Sequence, residues 1–248
     1  MNISPLTRLG RRPASANSKM GILIISQSLD RKDAVRRINL LAGKDLRPMA
    51  DEYRIPVWKD GRGNKGWAGL VIERYLGLAQ NSRQAPDFGN WELKVVSLRR
   101  DAEGHLRVKE SMAITMLEPA EVLSSRFEDS HLYDKLRSMV VVSRIYENPQ
   151  ESHSMLHAAA EFDLDNPGIR QRVAVDYETI RGQIRSGGID SVSGDLGQLV
   201  QARTKGRGHG SKSRAFYARA IFVAHILNLQ KLASMPRVFP AGPEEGLI

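Results

Sequence analysis

Cysteine is absent from the 248 residues, so neither a disulfide nor a thiolate metal site is available, and a reducing compartment suits the chain. No apolar run approaches the ~20 residues of a membrane span. The segment GILIIS (21–26) is flanked by basic residues but is too short for the apolar region of a secretory signal. These absences lead us to expect a cytoplasmic protein with no membrane partner. Acidic residues are missing altogether between Asp195 and Glu244. That span holds Arg203, Lys205, Arg207, Lys212, Arg214, Arg219, Lys231 and Arg237.

What is present is ordinary apart from charge. A hydrophobic fraction of 41% and a charged fraction of 26% suit a globular protein, and the length allows one large domain or two small ones. Lys and Arg number 37 against 28 Asp and Glu, giving a net charge of +9. Such a surplus favours a polyanionic partner, nucleic acid or an anionic membrane surface. No strongly amphipathic basic helix with a broad apolar face supports the membrane.

Residues 1–19 are rich in Ser, Pro, Asn and Arg and offer little to bury, so they are expected to form a flexible basic tail, with Met20 a candidate start of the folded protein. Ala34, Val35, Ile38 and Leu41 share a helical stripe ended by Gly43, and Leu46, Met49, Ala50 and Tyr53 form a second. The polar loop KDGRGNKG leads to a buried helix, WAGLVIERYLGL. Alternation in FGNWELKVVSL predicts a strand, DAEG a turn, and LRVKESMAITML its partner strand. Ser130 is placed to cap a short helix, HLYDKLRS. Strands are expected at MVVVSRIY, at 155–163 and at LGQLVQARTK. A helix starts at Pro167, and a final one takes in Ala220, Phe222, Val223, Ile226 and Leu227. Helices and strands mix without a strict βαβ repeat, so the class is α/β or α+β.

The chemistry concentrates in PDFGNWELK. Asp87 precedes Glu92 by five positions, with Gly89-Asn90 able to turn the chain between them, and Glu92 and Lys94 lie two apart on one strand face. Two carboxylates and an ammonium at one sheet end can hold Mg²⁺ and orient a water for phosphodiester hydrolysis. The same spacing would also serve a cross-strand ion pair on a solvated face. Glu73 interrupts the apolar helix LVIERYLGL between Gly69 and Gly77. A carboxylate there is costly unless it binds metal or pairs with a nearby Arg. The cationic stretch from 203 to 237, with Gly206, Gly208, Gly210 and His209 interleaved, suits DNA phosphates and guanine acceptors, whereas its alternative is a surface loop followed by a helix. His153 and His157, at i, i+4 without a third ligand, are read as structural. Trp58, Trp67 and Trp91 are read as core or loop anchors.

In order, KGWAGLVIERYLG, PDFGNWELK, FEDSHLYDKL, QARTK and SRAFYARAIFVAHIL resemble the catalytic segments of the MutH mismatch-repair endonucleases and related type II restriction enzymes. The likeness runs from about residue 29 to 232. It implies a restriction-endonuclease-like α/β fold, with a mixed sheet flanked by helices and two arms forming a DNA cleft. The endonuclease domain would span 20–248, with an N-terminal arm at about 20–80 and the catalytic sheet and C-terminal reading arm at about 81–235. Glu73, Asp87 and Glu92 would hold Mg²⁺, Lys94 would stand beside the attacking water, and Lys135 would be a further catalytic lysine. Lys65 would lie on the DNA backbone, and Arg203, Lys205 and Tyr217 would face bases. Arg207, Lys212 and Arg214 join them as candidate DNA contacts from the basic stretch.

The Asp87–Glu92 loop and the Arg203–Tyr217 stretch are both shorter than the repair enzymes have. The short Arg203–Tyr217 reader and the SKSRAFYAR segment favour the restriction branch. We therefore expect a sequence-specific Mg²⁺-dependent restriction enzyme cutting double-stranded DNA, with a 5′ phosphate left as the resemblance implies, as a monomer or a transient dimer on DNA. A nickase activated by MutL is the alternative, and a DNA-binding protein with a decayed site is the alternative of another class.

Overall fold

The computed structural model describes residues 29–59, 61–77, 87–205, 213–230 and 232. The expected tail, Met20, GILIIS, Arg207, His209 and Lys212 lie outside them.

Helix α1 (Arg31–Asn39) starts where the Asp30 carboxylate accepts from the Lys32 and Asp33 amides, and it buries Ala34 and Ile38. Helix α2 (Leu46–Glu52) is capped in the same way by Asp45. Strands β1 (Trp58–Lys59) and β2 (Arg62–Gly63) form a small hairpin inside the expected polar loop. It leads into α3 (Trp67–Tyr75), which buries Trp67, Ala68, Val71 and Ile72.

The central sheet has the order β4-β3-β6-β7, built from β3 (Glu92–Arg100), β4 (Leu106–Val108), β6 (Ser138–Ile145) and β7 (Leu156–Asp163). Strands β3 and β6 are parallel and the other pairs antiparallel. A parallel pair needs a long crossover. Here it comprises β4, β5 (Met112–Leu117), α4 (Pro119–Ser124) and α5 (His131–Leu136). The second sheet, β5-β9-β8, is antiparallel and adds β8 (Val200–Thr204) and β9 (Arg214–Ala218). Helices α6 (Pro167–Gly187) and α7 (Ala220–Ile226) complete the chain.

Strand β6 shows why the sheet has helices on both faces. Its run Met139-Val140-Val141-Val142 is apolar at every position, as a strand buried on both sides must be. Val140 and Val142 join the core of α1, α2 and α3, while Met139 and Val141 join that of α5, α6, α7 and the second sheet. Each such side chain contributes about 1.5–3 kcal/mol by leaving water. The fold is therefore the expected mixed sheet flanked by helices. No helix among the described residues is long and apolar enough to cross a membrane.

Two expectations need correction. LRVKESMAITML is not one strand. β4 pairs with β3 as expected, and the Lys109 amide makes a last bond to the Ser97 carbonyl. The chain then leaves through Glu110 and Ser111, and β5 pairs with β9 in the other sheet. RAFYA, within the basic stretch whose alternative reading was a loop, is a central strand bonded on both sides, with Ala215, Phe216 and Ala218 buried.

Candidate active site

The site is assembled at the start of β3. Residues 87–90 form a tight turn in which Gly89 adopts φ 81° and the rings of Phe88 and Trp91 stack 3.8 Å apart. The Trp91 indole donates to the Leu29 carbonyl at 2.9 Å, tying the turn to the start of α1. The turn folds Asp87 back over Glu92. The Asp87 amide donates to Glu92 Oε2 at 3.3 Å, and the Leu93 amide donates to Asp87 Oδ2 at 3.2 Å.

Glu92 is 1% exposed, which rules out an ion pair on a solvated face. Lys94, on the same strand face, donates to its Oε1 at 2.5 Å, and Lys135 donates to Oε2 at 2.7 Å. The parallel register explains the second contact. Glu92 pairs with Met139, four residues after Lys135, so the end of α5 is delivered beside Glu92. Ser130 starts α5 as expected, its hydroxyl accepting from the Tyr133 amide at 3.2 Å.

Glu73 comes from α3, on the opposite face of the sheet from α5. Burial pushes its carboxyl above the usual range, Asp87 and Glu92 push it further, and Lys94 opposes them. Among the described residues the charges that act on it are Asp87, Lys94 and Glu92. Asp87 is likewise raised, by burial and then by Glu92, against the pull of Lys94 and Lys135. Three carboxylates and two ammoniums from three elements thus share one electrostatic environment, where helices from both sheet faces meet the start of β3.

Three half-buried or buried carboxylates, with Glu73 and Asp87 raised by their acidic neighbours, form a hard-oxygen donor set, and a divalent cation would relieve that repulsion. Glu73, Asp87 and Glu92 therefore fit Mg²⁺ by chemistry. Among the described residues, the trio whose ligand atoms all lie within 4.8 Å of one another is a different one, Asp101, Glu103 and His105. It occupies the exposed turn after β3, where Asp101 already pairs with Arg107 at 2.8 Å.

The expected DNA contacts fall in two places. Lys65 is exposed in the turn between the hairpin and α3. Arg203 and Lys205 are exposed at the end of β8, with Arg203 Nη1 donating to Ser111 Oγ at 3.1 Å. Arg214 and Tyr217, both half-buried, lie on β9, Arg214 opposite Thr204 and Tyr217 opposite Gln201. The last of the basic stretch's well-placed cations, Arg219, points inward and donates to the carbonyls of Gly194, Leu196 and Gly197. His153 and His157 are not joined on one helix. His153 Nδ1 meets Asp45 at 2.9 Å and His157 Nδ1 meets Ser143 Oγ at 3.0 Å. Trp67 and Trp91 are core residues, while Trp58 is exposed, its indole donating to the Gln150 carbonyl at 3.1 Å.

One cluster had no signal in the sequence. Arg144, 4% exposed, pairs with Glu151 at 2.9 Å, and Glu151 accepts from the Trp67 indole at 2.6 Å. The cluster pins the start of α3, the helix that carries Glu73, to the β6–β7 connection. Its residues are 77 positions or more from Trp67, a pairing that helical or strand periodicity does not report.

The family model described as "MutH: DNA mismatch repair enzyme MutH" matches residues 76–163. That stretch holds Asp87, Glu92, Lys94 and Lys135, but not Glu73, β8 or β9. The chain is similar to DNA mismatch repair protein MutH of Haemophilus influenzae (strain PittGG), 28% identical over 204 residues that cover 76% of this chain and 90% of that protein. It is also similar to MutH of Pasteurella multocida (strain Pm70), 24% identical over 212 residues, with coverage of 79% and 94%. Among solved structures, the complex "Restriction endonuclease MvaI-cognate DNA substrate complex" aligns over 79% of this chain and 93% of that one, at 12% identity and a TM-score of 0.33, too loose a likeness to argue from. The resemblance to MutH-type endonucleases is borne out by the family model and these relatives.

Proposed function

We propose that this relative of the MutH mismatch-repair enzymes is a divalent-metal-dependent DNA endonuclease that nicks DNA in repair and is activated by MutL. The observation that carries the reading is Glu92, buried at 1% exposure, gripped by Lys94 and Lys135 and facing Asp87 and Glu73. A binding protein has no use for so costly a cluster of buried charge. The similarity to MutH proteins favours the repair role over the restriction enzyme expected from the short reading segment.

Glu73, Asp87 and Glu92 would hold the cation, which when bound supplies Lewis acidity and a more acidic water. The two lysines divide the remaining work by their exposure. The Lys135 side chain is 8% exposed and serves as a fixed counter-charge on Glu92. That of Lys94 is 24% exposed, so its ammonium can turn toward a phosphate oxygen or hold the attacking water. Lys65 contacts phosphate from one side of the site. Arg203, Lys205, Arg207, Lys212, Arg214 and Tyr217 make the DNA contacts of the other arm.

The Arg203–Tyr217 segment, shorter than in the repair enzymes, supports a second reading as a self-sufficient restriction enzyme. Unmethylated supercoiled plasmid with Mg²⁺, with and without MutL, separates the two. Nicked circles that require MutL support the repair reading, and discrete linear fragments from the protein alone support restriction. No cleavage under either condition would overturn the endonuclease reading.

A further inference from the structure

The loop that feeds β8 is held by two opposite charges, one buried and one half-buried. The Asp176 carboxylate, 3% exposed in the middle of α6, accepts from the amides of Gln198 at 2.7 Å, Leu199 at 2.7 Å and Val200 at 2.8 Å. From the other side the Arg219 guanidinium donates to the carbonyls of Gly197 at 2.9 Å, Gly194 at 2.8 Å and Leu196 at 3.2 Å. The Arg219 amide adds a bond to the Leu199 carbonyl at 2.8 Å. Opposite charges thus claim the amides and the carbonyls of one loop, and charge-assisted bonds are about twice as strong as neutral ones. The geometry leaves little room for variation. Gly197 has φ +81°, and a Cβ there would lie 1.9 Å from the Val200 carbonyl oxygen.

A loop far from any ligand would not need such definition. This one lies against Arg203. A methyl on Gly194 would stand 3.5 Å from Arg203 Cγ, so the loop backbone forms a wall along the arginine's stem. Ser111 Oγ holds the guanidinium at 3.1 Å. Arg219 itself directly follows β9, two residues after Tyr217. One brace therefore sets the register of both strands of the β8–β9 hairpin.

We propose that Asp176 and Arg219 are positioning residues for DNA sequence reading: by locking the 194–200 loop they hold Arg203 in the one place from which it can read a base. The proposal rests on the reading of the chain as a DNA endonuclease with Arg203 at the bases. The functional logic is that a long, flexible side chain gains selectivity when its stem cannot move. A misplaced arginine still attracts phosphate but no longer distinguishes bases.

The test is selection from a random-sequence duplex library in Ca²⁺ with wild type and with the Asp176→Asn, Arg219→Lys, Gly194→Ala and Arg203→Ala variants. Arg203→Ala is expected to lose preference at particular base pairs by about tenfold or more. The two brace variants, Asp176→Asn and Arg219→Lys, should blur those same positions while keeping affinity for bulk random duplex within about threefold, because phosphate contacts supply that part. Asp176→Asn combined with Arg203→Ala should be no less selective than Arg203→Ala alone, the coupling expected of residues acting through one side chain. A brace variant that enriches the wild-type motif unchanged overturns the proposal, as does an equal loss on all sequences that follows the unfolded fraction. Gly194→Ala leaves every bond of the brace in place and only touches Arg203 Cγ at van der Waals distance, so it should enrich the wild-type motif. Arg219→Lys decides the matter if Asp176→Asn fails to fold. If wild type enriches no motif, the reading of Arg203 at the bases fails, and the brace proposal with it, before any variant is compared.

Discussion

Replacing Asp87 with Asn should stabilise the metal-free protein and remove its response to divalent cations. The Asp87 carboxyl is raised by burial and by Glu92, so its charged form is held at a cost. Asn keeps the shape and keeps an oxygen for the Leu93 amide, the bond now made at 3.2 Å. The variant loses the burial cost and the repulsion from Glu92, together with the smaller attraction of Lys94 and Lys135. Removing an unfavourable charge of this kind commonly gains about 0.5–2 kcal/mol. For a chain of this size each kcal/mol moves the melting temperature by roughly 2–4 °C. In EDTA, Asp87→Asn should therefore melt above wild type by about 1–8 °C. Adding Mg²⁺ or Ca²⁺ should reverse the order. A cation at a hundredfold excess over its Kd stabilises the form that binds it by about 2.7 kcal/mol, and only wild type keeps the full donor set. The assay is thermal unfolding of both proteins without DNA, in EDTA and across a cation titration. A variant that melts below wild type in EDTA would make Asp87 a structural carboxylate. Parallel shifts of both proteins with cation would place the metal elsewhere. Either result refutes the assignment.

Lys135→Met keeps the buried stem but removes the ammonium 2.7 Å from Glu92. Single-turnover cleavage should fall by about 10²–10³-fold, and a loss under threefold would remove Lys135 from the catalytic set. Glu151→Ala strands Arg144, which is 4% exposed, and should cost about 3–5 kcal/mol in urea unfolding, with a loss below 1 kcal/mol counting against a buried pair. Asp45 caps α2 and lies below the usual aspartate range. Burial pushes it up, but the amides of Arg47 and Ser154, together with His153, outweigh burial. A depressed carboxyl contributes stability above its ordinary pKa and loses it as pH falls through its folded value. Asp45→Asn should thus cost about 0.5–2 kcal/mol near neutrality, and the gap to wild type should close in acid; a gap independent of pH would refute the ionic part.

Helices and buried strands were legible because each carries its own periodicity. The stripe of Ala34 and Ile38, the apolar run of β6 and the Ser130 cap all report local backbone geometry, and each stands where expected. What failed were matters of partnership. Nothing in LRVKESMAITML says that its second half will pair with β9 rather than β3. RAFYA carries one cation and two aromatics in a basic stretch, which hid a strand bonded on both sides. The β1–β2 hairpin is too short for alternation to register.

The candidate site was readable for a related reason, and its support was not. Asp87, Glu92 and Lys94 lie within eight positions, so a turn and a strand suffice to bring them together. Glu73 announced itself as a charge in an apolar helix, a local conflict that metal binding or an ion pair would resolve. Lys135 has no such mark. It reaches Glu92 only because β3 and β6 are parallel in a register that pairs Glu92 with Met139. Asp176 and Arg219 depend still more on tertiary structure, since a charge inside α6 and one in a cationic stretch read as solvent-facing until the loop between them is in place. Groups that do the chemistry can be found where they violate local rules. Groups that aim them obey local rules and become visible only through contacts distant in sequence. In this chain the division falls between the carboxylates around Glu92, which the residue pattern exposes, and the brace behind Arg203, which it conceals.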